Sequence, residues 1–200
     1  MQHKPAMTRT PINEMLAQRW SPRAFDGTRA LTSQQILALC EAARWAPSSS
    51  NEQPWRFILC DRYADPSAWL QACAVLKPAN QVWATQAAML VLVCALPLSA
   101  ANNALNRWCD YDAGAAAFSL CLQASTMGLA AHQMGGFDAG AAHTSFAIPD
   151  DVHCLAMIAV GYPGEAAALP EGLRERELAP RSRQPLESRF FAGGWGMPFK

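Results

Sequence analysis

The feature of this sequence that most limits its possible folds is the run Ala88–Ala95, which is almost uniformly apolar. It is too short to cross a membrane, because even the wider stretch Ala87–Leu98 has only 12 residues and a bilayer span needs about 20. A run of this kind predicts a β-strand that is buried on both faces. Because helices outnumber strands in the rest of the chain, the pattern indicates an α+β or α/β layered domain.

The other predicted elements are spread over the whole chain. We predict helices at 12–18, 32–46, 66–76, 106–127 and 139–146, and strands at 55–60, 129–134 and 154–160. The second helix begins with Thr32-Ser33-Gln34-Gln35, a capping-box pattern. The helix at 106–127 is apolar nearly all round, which predicts a place in the middle of the domain or in a subunit interface.

Length and charge limit the function. Two hundred residues with 51% apolar content predict one domain, 1–200. A formal net charge of zero argues against binding to nucleic acid or to a membrane surface. No apolar stretch follows the basic residues of the N-terminus, so we expect no secretory signal and a cytoplasmic protein. After Glu165 the prolines, charges and glycines predict an extended arm, 165–200. We expect Trp195 to be its packing anchor, with a place in a pocket of a partner chain as the alternative.

Cysteines and histidines give no sign of a metal centre. The seven cysteines are scattered without a Cys-x-x-Cys pair and mostly lie in apolar stretches, which predicts buried, reduced thiols. The spacings of His132, His143 and His153 match no zinc pattern, so we expect no bound metal. His132 is the one histidine that we expect beside a binding site.

Two motifs that are typical of nucleotide-binding proteins, the Gly-x-Gly-x-x-Gly turn and the Walker loop, are both missing from the sequence.

Two segments carry residues suited to binding. The first basic segment, Arg19–Arg23, places Arg19, Ser21 and Arg23 at alternate positions, and these point the same way if the segment is extended. Pro22 favours that conformation at Ser21. Two guanidiniums around a hydroxyl suit a phosphate group, although a solvated basic turn would have the same composition.

The second segment is the serine loop, Pro47–Trp55. Three serines, an asparagine and a glutamine lie between two prolines, after a helix and before a strand. Hydroxyl and amide groups can hydrogen-bond the edge of a heteroaromatic ring without adding charge. Its composition alone is equally that of a turn-rich loop.

The order of these segments resembles that of FMN-dependent nitroreductases. The resemblance continues with Asn80, with the glycine turn Met134–Gly136 and the following Phe137-Asp138, with Ala159–Pro163, and with the second basic segment Arg181–Arg183. These positions span residues 19 to 186, in the family's order. The serine loop is the most specific of them.

The resemblance implies a fold, an assembly and a set of cofactor contacts. It implies a three-layer sandwich with a mostly antiparallel central sheet flanked by helices, and a C-terminal arm that reaches over the partner in a homodimer. The two basic segments would bind the FMN phosphate, and the glycine turn would bring backbone N–H close to flavin N5. The serine loop would contact the flavin from the other subunit. The implied FMN-binding residues are Arg19, Trp20, Ser21, Arg23, Pro47, Ser48, Ser49, Asn51, Gln53, Asn80, Met134, Gly135, Gly136, Arg181 and Arg183.

The resemblance also implies an activity. NADH or NADPH would reduce the flavin, which would then reduce a small electron-poor acceptor such as a nitroaromatic or a quinone in a ping-pong reaction. Because the flavin performs the chemistry, we assign no catalytic side chain. Two alternatives remain open: a flavin-binding module that senses or stores flavin without turnover, and another FMN reaction such as reductive dehalogenation, flavin destruction or dehydrogenation.

Two positions depart from the family pattern. Family members often have a Pro-x-Glu-Gly turn, whereas this chain has Gly135 in place of the glutamate, and Trp83 stands where the family often has lysine. We expect Trp83 to make the flavin pocket more apolar and aromatic. The substrate therefore cannot be transferred from the family, and the short chain leaves open whether a lid helix covers the flavin.

Overall fold

A computed structural model describes residues 4–199 of the chain. Within them the element order is α1 (Glu14–Gln18), α2 (Ser33–Arg44), β1 (Trp55–Asp61), α3 (Pro66–Val75), α4 (Pro78–Ala84), β2 (Met89–Ala95), α5 (Cys109–Thr126), β3 (Ala130–Met134), α6 (Ala139–Ser145), β4 (His153–Gly161) and α7 (Glu171–Leu178).

The four strands form one antiparallel sheet in the order β1-β2-β4-β3. The central strand β2 is buried along its whole length, which confirms the prediction for the apolar run. Its side chains alternate between two hydrophobic cores, as the pleat of a strand requires. Met89, Val91, Val93 and Ala95 enter one core, and Leu90, Leu92 and Cys94 enter the other.

Helices cover both faces of the sheet. Helices α2 and α5 pack in the first core, and α3, α4 and α6 pack in the second. The resulting helix–sheet–helix arrangement is the predicted three-layer α+β sandwich with an antiparallel sheet. The second layer includes a helix that the sequence did not reveal: α4 begins at Pro78, directly after α3, where proline is well tolerated in the first turn.

Helix α2 has the predicted capping box. The backbone N–H of Gln35 donates to Thr32 Oγ1 at 3.1 Å, and the N–H of Thr32 donates to Gln35 Oε1 at 2.9 Å. Two of the N–H groups that a helix start leaves unpaired are thereby satisfied. The helix packs on α5 through the buried residues Leu39 and Ala43.

Helix α5 is packed on one side only in the single chain. Small residues such as Ala113, Ala116 and Ala124 are fully buried and let the helix approach the sheet closely. On the opposite side Tyr111 is 76% exposed and Phe118 is 42% exposed. Packing against the core thus accounts for the apolar residues on one side of α5. The apolar residues on the other side are exposed and available for another contact.

The C-terminal segment only partly matches the predicted arm. Helix α7 lies inside the range 165–200 and folds back on the chain's own N-terminal part, where the Glu177 side chain is buried. Residues 184–190 and 192–199 are exposed. Trp195 is 94% exposed and contacts the Phe191 ring at a centroid distance of 5.3 Å. The packing anchor that we predicted at Trp195 is therefore not formed within one chain.

The cysteines lie where their apolar surroundings predicted. All seven are free thiols, and Cys60, Cys73, Cys94, Cys109 and Cys121 are buried. Burial raises the pKa of Cys60 and of Cys94 to about 12, so these thiols stay protonated and unreactive at neutral pH. No helix within residues 4–199 combines the length and the hydropathy that a transmembrane helix needs.

Candidate functional site

The first basic segment is extended, with alternating burial. Pro22 and Ala24 are buried, whereas Arg19, Ser21 and Arg23 are half-buried, so the predicted phosphate-binding side chains share the more open face. The Arg19 guanidinium donates to Ser21 Oγ at 3.4 Å. The extended conformation inferred from Pro22 is therefore the one the chain adopts.

Two polar side chains from distant parts of the chain hold this segment in place. The Glu177 carboxylate accepts hydrogen bonds from the backbone N–H of Arg23 at 3.0 Å and of Ala24 at 3.1 Å. On β3, His132 Nδ1 lies 3.0 Å from the carbonyl oxygen of Pro22. Because a carbonyl can only accept, the proton must be on Nδ1. Sequence reasoning missed Glu177, since nothing distinguishes it from the other charged residues of α7.

His132 is neutral in this environment. Its pKa is lowered to about 4, mainly by burial and to a smaller extent by the positive charges of Arg23 and Arg19, while the hydrogen bond to Pro22 opposes the shift. The imidazole packs on the Trp83 ring at a centroid distance of 4.6 Å. His132 was expected near the binding residues, and the structure places it directly under the first basic segment.

Trp83 does not line a pocket, which corrects our expectation for this position. It is 2% exposed and lies between Phe25, at a centroid distance of 6.2 Å, and His132. The Arg23 guanidinium lies 6.0 Å from the indole centroid. The indole therefore supports the first basic segment from below instead of adding an aromatic wall to the site.

Three guanidiniums come together beside this segment: Arg19, Arg181 and Arg183. Arg181 donates to the backbone carbonyls of Lys4 at 2.9 Å and Ala17 at 2.7 Å, which fixes the second basic segment next to α1. Burial lowers the pKa of Arg19 and of Arg181, and the neighbouring guanidiniums lower it further. Within residues 4–199, none of the three forms a salt bridge with a carboxylate. Such a cluster is well suited to a bound anion.

Asn80 and the glycine turn, which the resemblance implied as separate flavin contacts, are in direct contact with each other. The side-chain amide of Asn80 donates to the Gly136 carbonyl at 2.9 Å, and the backbone N–H of Lys77 donates to the same oxygen at 2.9 Å. A Cβ atom at Gly136 would lie 2.6 Å from Asn80 Nδ2, so the close approach requires glycine. A Cβ at Gly135 would meet nothing within 4 Å. The Met134 side chain is buried in the second core.

The serine loop is at the opposite edge of the sheet. It leads into β1, whereas the glycine turn follows β3, and two strands lie between them, a separation of about 14 Å at the usual strand spacing. The Ser49 N–H donates to Asp112 Oδ2 at 3.0 Å, which ties the loop to α5 in the other helical layer. The loop is internally ordered, since the Gln53 N–H donates to Ser48 Oγ at 3.1 Å, and Asn51 and Gln53 both have positive φ. One chain thus leaves the serine loop apart from the other predicted residues.

Two open clefts flank the half-buried Trp20. One of about 290 Å³ is lined by Pro22, Gly164 and Glu177 among others, and one of about 340 Å³ is lined by Arg19 and the end of α5. Neither includes Asn80 or the glycine turn. The Trp20 ring lies under Lys4 Nζ at 4.4 Å from its centroid.

Comparison with known proteins agrees with this arrangement. The model of the nitroreductase family matches residues 16–162. The chain belongs to the nitroreductase family. The match extends from the middle of α1 to the residue after β4, and so contains the first basic segment, the serine loop, Asn80 and the glycine turn.

Individual proteins are also similar to this chain. The solved structure described as "the oxidoreductase containing FMN" superposes with a TM-score of 0.90, at 34% identity over 98% of both chains. The "Uncharacterized 15.4 kDa protein in ask 5'region" of Mycolicibacterium smegmatis is 40% identical over 124 residues, 62% of this chain and 82% of the relative. The "Oxygen-insensitive NAD(P)H nitroreductase" of Salmonella typhimurium is 29% identical over 84 residues, 42% of this chain and 39% of that enzyme. The family match and the structural superposition thus agree on the family and on the fold of this chain.

Proposed function

We propose that this chain binds FMN at the site formed by the two basic segments, Asn80 and the glycine turn, and uses it to reduce small electron-poor molecules. The observation that carries the proposal is the cluster of Arg19, Arg181 and Arg183, which has no carboxylate partner among the described residues. A phosphate dianion would match the charge of such a cluster, and a guanidinium can bind phosphate oxygens through two parallel hydrogen bonds.

The remaining contacts suit the rest of the cofactor. The Asn80 side-chain oxygen has no hydrogen-bond partner within the described part of the chain, while its amide is held by Gly136. The glycine turn presents backbone without a side chain, so its N–H groups can approach a flat ring. Bound FMN supplies the two-electron chemistry, in which a hydride from NADH or NADPH reaches a nitroaromatic, a quinone or a similar acceptor. The chain's own residues position the cofactor and limit access to it.

We also propose that the active unit is a homodimer. A flavin held by Asn80 and the glycine turn lies at the β3 edge, so the serine loop of the same chain is on the wrong edge of the sheet. A second chain could supply it. The exposed apolar side chains of Leu37, Trp45, Tyr111 and Phe118 on or beside α2 and α5 offer a surface for that contact.

The spectrum and the flavin affinity of the purified protein test the cofactor. We expect a yellow protein with bound FMN that NADH or NADPH bleaches without oxygen, and that a nitroaromatic or quinone reoxidises. Arg183→Ala should weaken FMN binding by about 10-fold to 100-fold, since a charge-assisted hydrogen bond contributes about 1.5–3 kcal/mol. Arg189→Ala is the matched control, because Arg189 is also exposed and also donates only to the preceding carbonyl. A colourless protein that takes up no FMN contradicts the proposal.

A flavin-binding module without turnover is the second candidate. It is motivated by position 135, where the family's carboxylate beside the ring is replaced by a glycine with open space around it. Bound FMN that neither NADH nor NADPH reduces would favour this candidate over the enzyme. A monomer in sedimentation that still holds FMN would contradict the shared site.

A further inference from the structure

Three side chains of different chemistry meet at the end of the molecule away from the guanidinium cluster. Cys109 Sγ lies 3.9 Å from His153 Nδ1 and 3.4 Å from Asp110 Oδ1, and the latter two atoms are 2.7 Å apart. All three potential ligand atoms lie within 4.8 Å of one another. Cys109 is buried, while the Asp110 and His153 side chains are about half exposed.

The fold brings these residues together from two distant segments. Cys109 and Asp110 are the first two residues of α5, and His153 is the first residue of β4, 43 positions beyond Asp110. In the sheet, His153 pairs with Ala95 at the end of β2. Both ends are fixed by the packed core, so the cluster depends on rigid elements and not on a loop.

The geometry is that of a chelating set and not of a catalytic relay. A Cys–His–Asp relay needs the thiol and the carboxylate at opposite nitrogens of the imidazole, so that a proton can pass across the ring. Here both groups face the same nitrogen, Nδ1. A metal ion requires several ligand atoms close together, and these three lie within 4.8 Å of one another.

An ion pair between His153 and Asp110 is the simpler explanation of the 2.7 Å contact, and it accounts for two of the three side chains. It gives no role to the buried thiol, which also approaches both partners. Among the residues that the structure describes, Asp110 forms a salt bridge with His153 and with no lysine or arginine. No lysine or arginine of the described residues therefore neutralises the carboxylate in place of a metal ion.

We propose that Cys109, Asp110 and His153 form a Zn²⁺ site with an open fourth position. In tetrahedral zinc with its usual bond lengths, neighbouring S, N and O ligands lie about 3.3–3.6 Å apart. The observed separations of 2.7–3.9 Å lie on both sides of that range, so side-chain shifts of about half an ångström suffice. Thiolate and imidazole select a borderline-soft ion such as Zn²⁺ over Mg²⁺ or Ca²⁺.

The charges also balance. A thiolate and a carboxylate neutralise one Zn²⁺, and binding releases the proton of the Cys109 thiol to solvent. The positive end of the α5 dipole stabilises both anionic ligands. The half-exposed side of the cluster leaves room for water as the fourth ligand. The site is independent of the proposed flavin chemistry, because none of its residues belongs to the flavin contacts.

Metal binding by the full-length protein, with its flavin as purified, tests the proposal. After chelator treatment and dialysis, Zn²⁺ is titrated against a chromophoric chelator, and the bound metal is counted by mass spectrometry. We expect one Zn²⁺ per chain and a rise in Tm on the order of 5 °C at a large excess of Zn²⁺ over Kd. Co²⁺ in place of Zn²⁺ should give intense d–d bands at wavelengths longer than flavin absorbs, which report a tetrahedral site.

Single substitutions show whether these residues hold the ion. Asp110→Asn and His153→Asn change half-exposed side chains and should each weaken Zn²⁺ binding by at least about 100-fold while leaving the fold intact. Cys109→Ser should remove the Co²⁺–thiolate absorption, and the two surface variants still decide the matter if this buried substitution prevents folding. His143→Asn and Cys154→Ser are matched controls and should bind as the unmodified protein does. Binding below one equivalent, or equal affinity in His153→Asn, overturns the proposal.

Discussion

Acidification should destabilise this protein, and the buried His132 should account for a large part of the effect. The folded chain keeps the imidazole neutral, because burial lowers its pKa from 6.5 to about 4. In the unfolded chain the same group has its ordinary pKa. Between these two values the unfolded state binds a proton that the folded state does not, so the free energy of unfolding falls as the pH falls.

The size of the effect follows from the shift. Integrating the difference in proton binding gives a loss of about 2 kcal/mol between pH 7 and pH 5, and about 3 kcal/mol by pH 4. Exposed carboxylates with lowered pKa values, such as Asp26 and Asp138, also lose stabilisation in acid. Their contribution is removed by comparison with a variant in which position 132 does not titrate.

His132→Asn is that variant. The asparagine amide can replace Nδ1–H as donor to the Pro22 carbonyl, and it carries no charge at any of these pH values. Urea unfolding followed by tryptophan fluorescence at pH 7, 6 and 5 measures both proteins. We expect the variant to lose about 2 kcal/mol less than the unmodified chain over this range. If the two losses agree within about 0.5 kcal/mol, the reasoning about His132 is refuted.

Three further predictions concern other parts of the molecule. Glu177→Gln should lower the free energy of unfolding by about 1–3 kcal/mol and weaken FMN binding. The reason is that an amide accepts the backbone hydrogen bonds of the first basic segment less well than a carboxylate does. Equal FMN affinity in this variant and the unmodified protein would contradict this role of Glu177. Gly136→Ala should weaken FMN binding at least tenfold, because the added methyl group displaces the Asn80 amide. Gly135→Ala adds its methyl group in open space, so thermal melts should show unchanged stability. Thr32→Ala removes the capping box and should cost about 1 kcal/mol of stability in urea titrations, with no change in the flavin spectrum.

Local patterns predicted the scaffold well. The apolar run at β2 and the Thr32 capping box needed only neighbouring residues, and both are present as predicted. Helix α4 escaped detection because its seven residues are too few to show a periodicity. Helix α7 escaped because its polar surface resembles that of a solvated arm.

The site was predicted less completely, for a physical reason. The resemblance implied that Asn80, Gly136 and the two basic segments share one binding site, and the structure places Asn80 against Gly136 and the first basic segment near the second. The residues that hold these segments in place contact them from more than a hundred positions away in the sequence, as His132 does with Pro22. No local pattern records such a pairing, which is why Trp83 was assigned to a pocket wall and Glu177 to no role.

Because the serine loop and the glycine turn lie apart in one chain, the proposed flavin affinity would depend on the concentration of the protein itself. If each flavin is held by parts of two chains, cofactor binding and chain association are thermodynamically linked, and each strengthens the other by the same factor. Dilution then releases FMN even when free FMN is held constant. Flavin affinity becomes a property of the protein's concentration, so a cell that makes little of this chain would hold it largely as apoprotein.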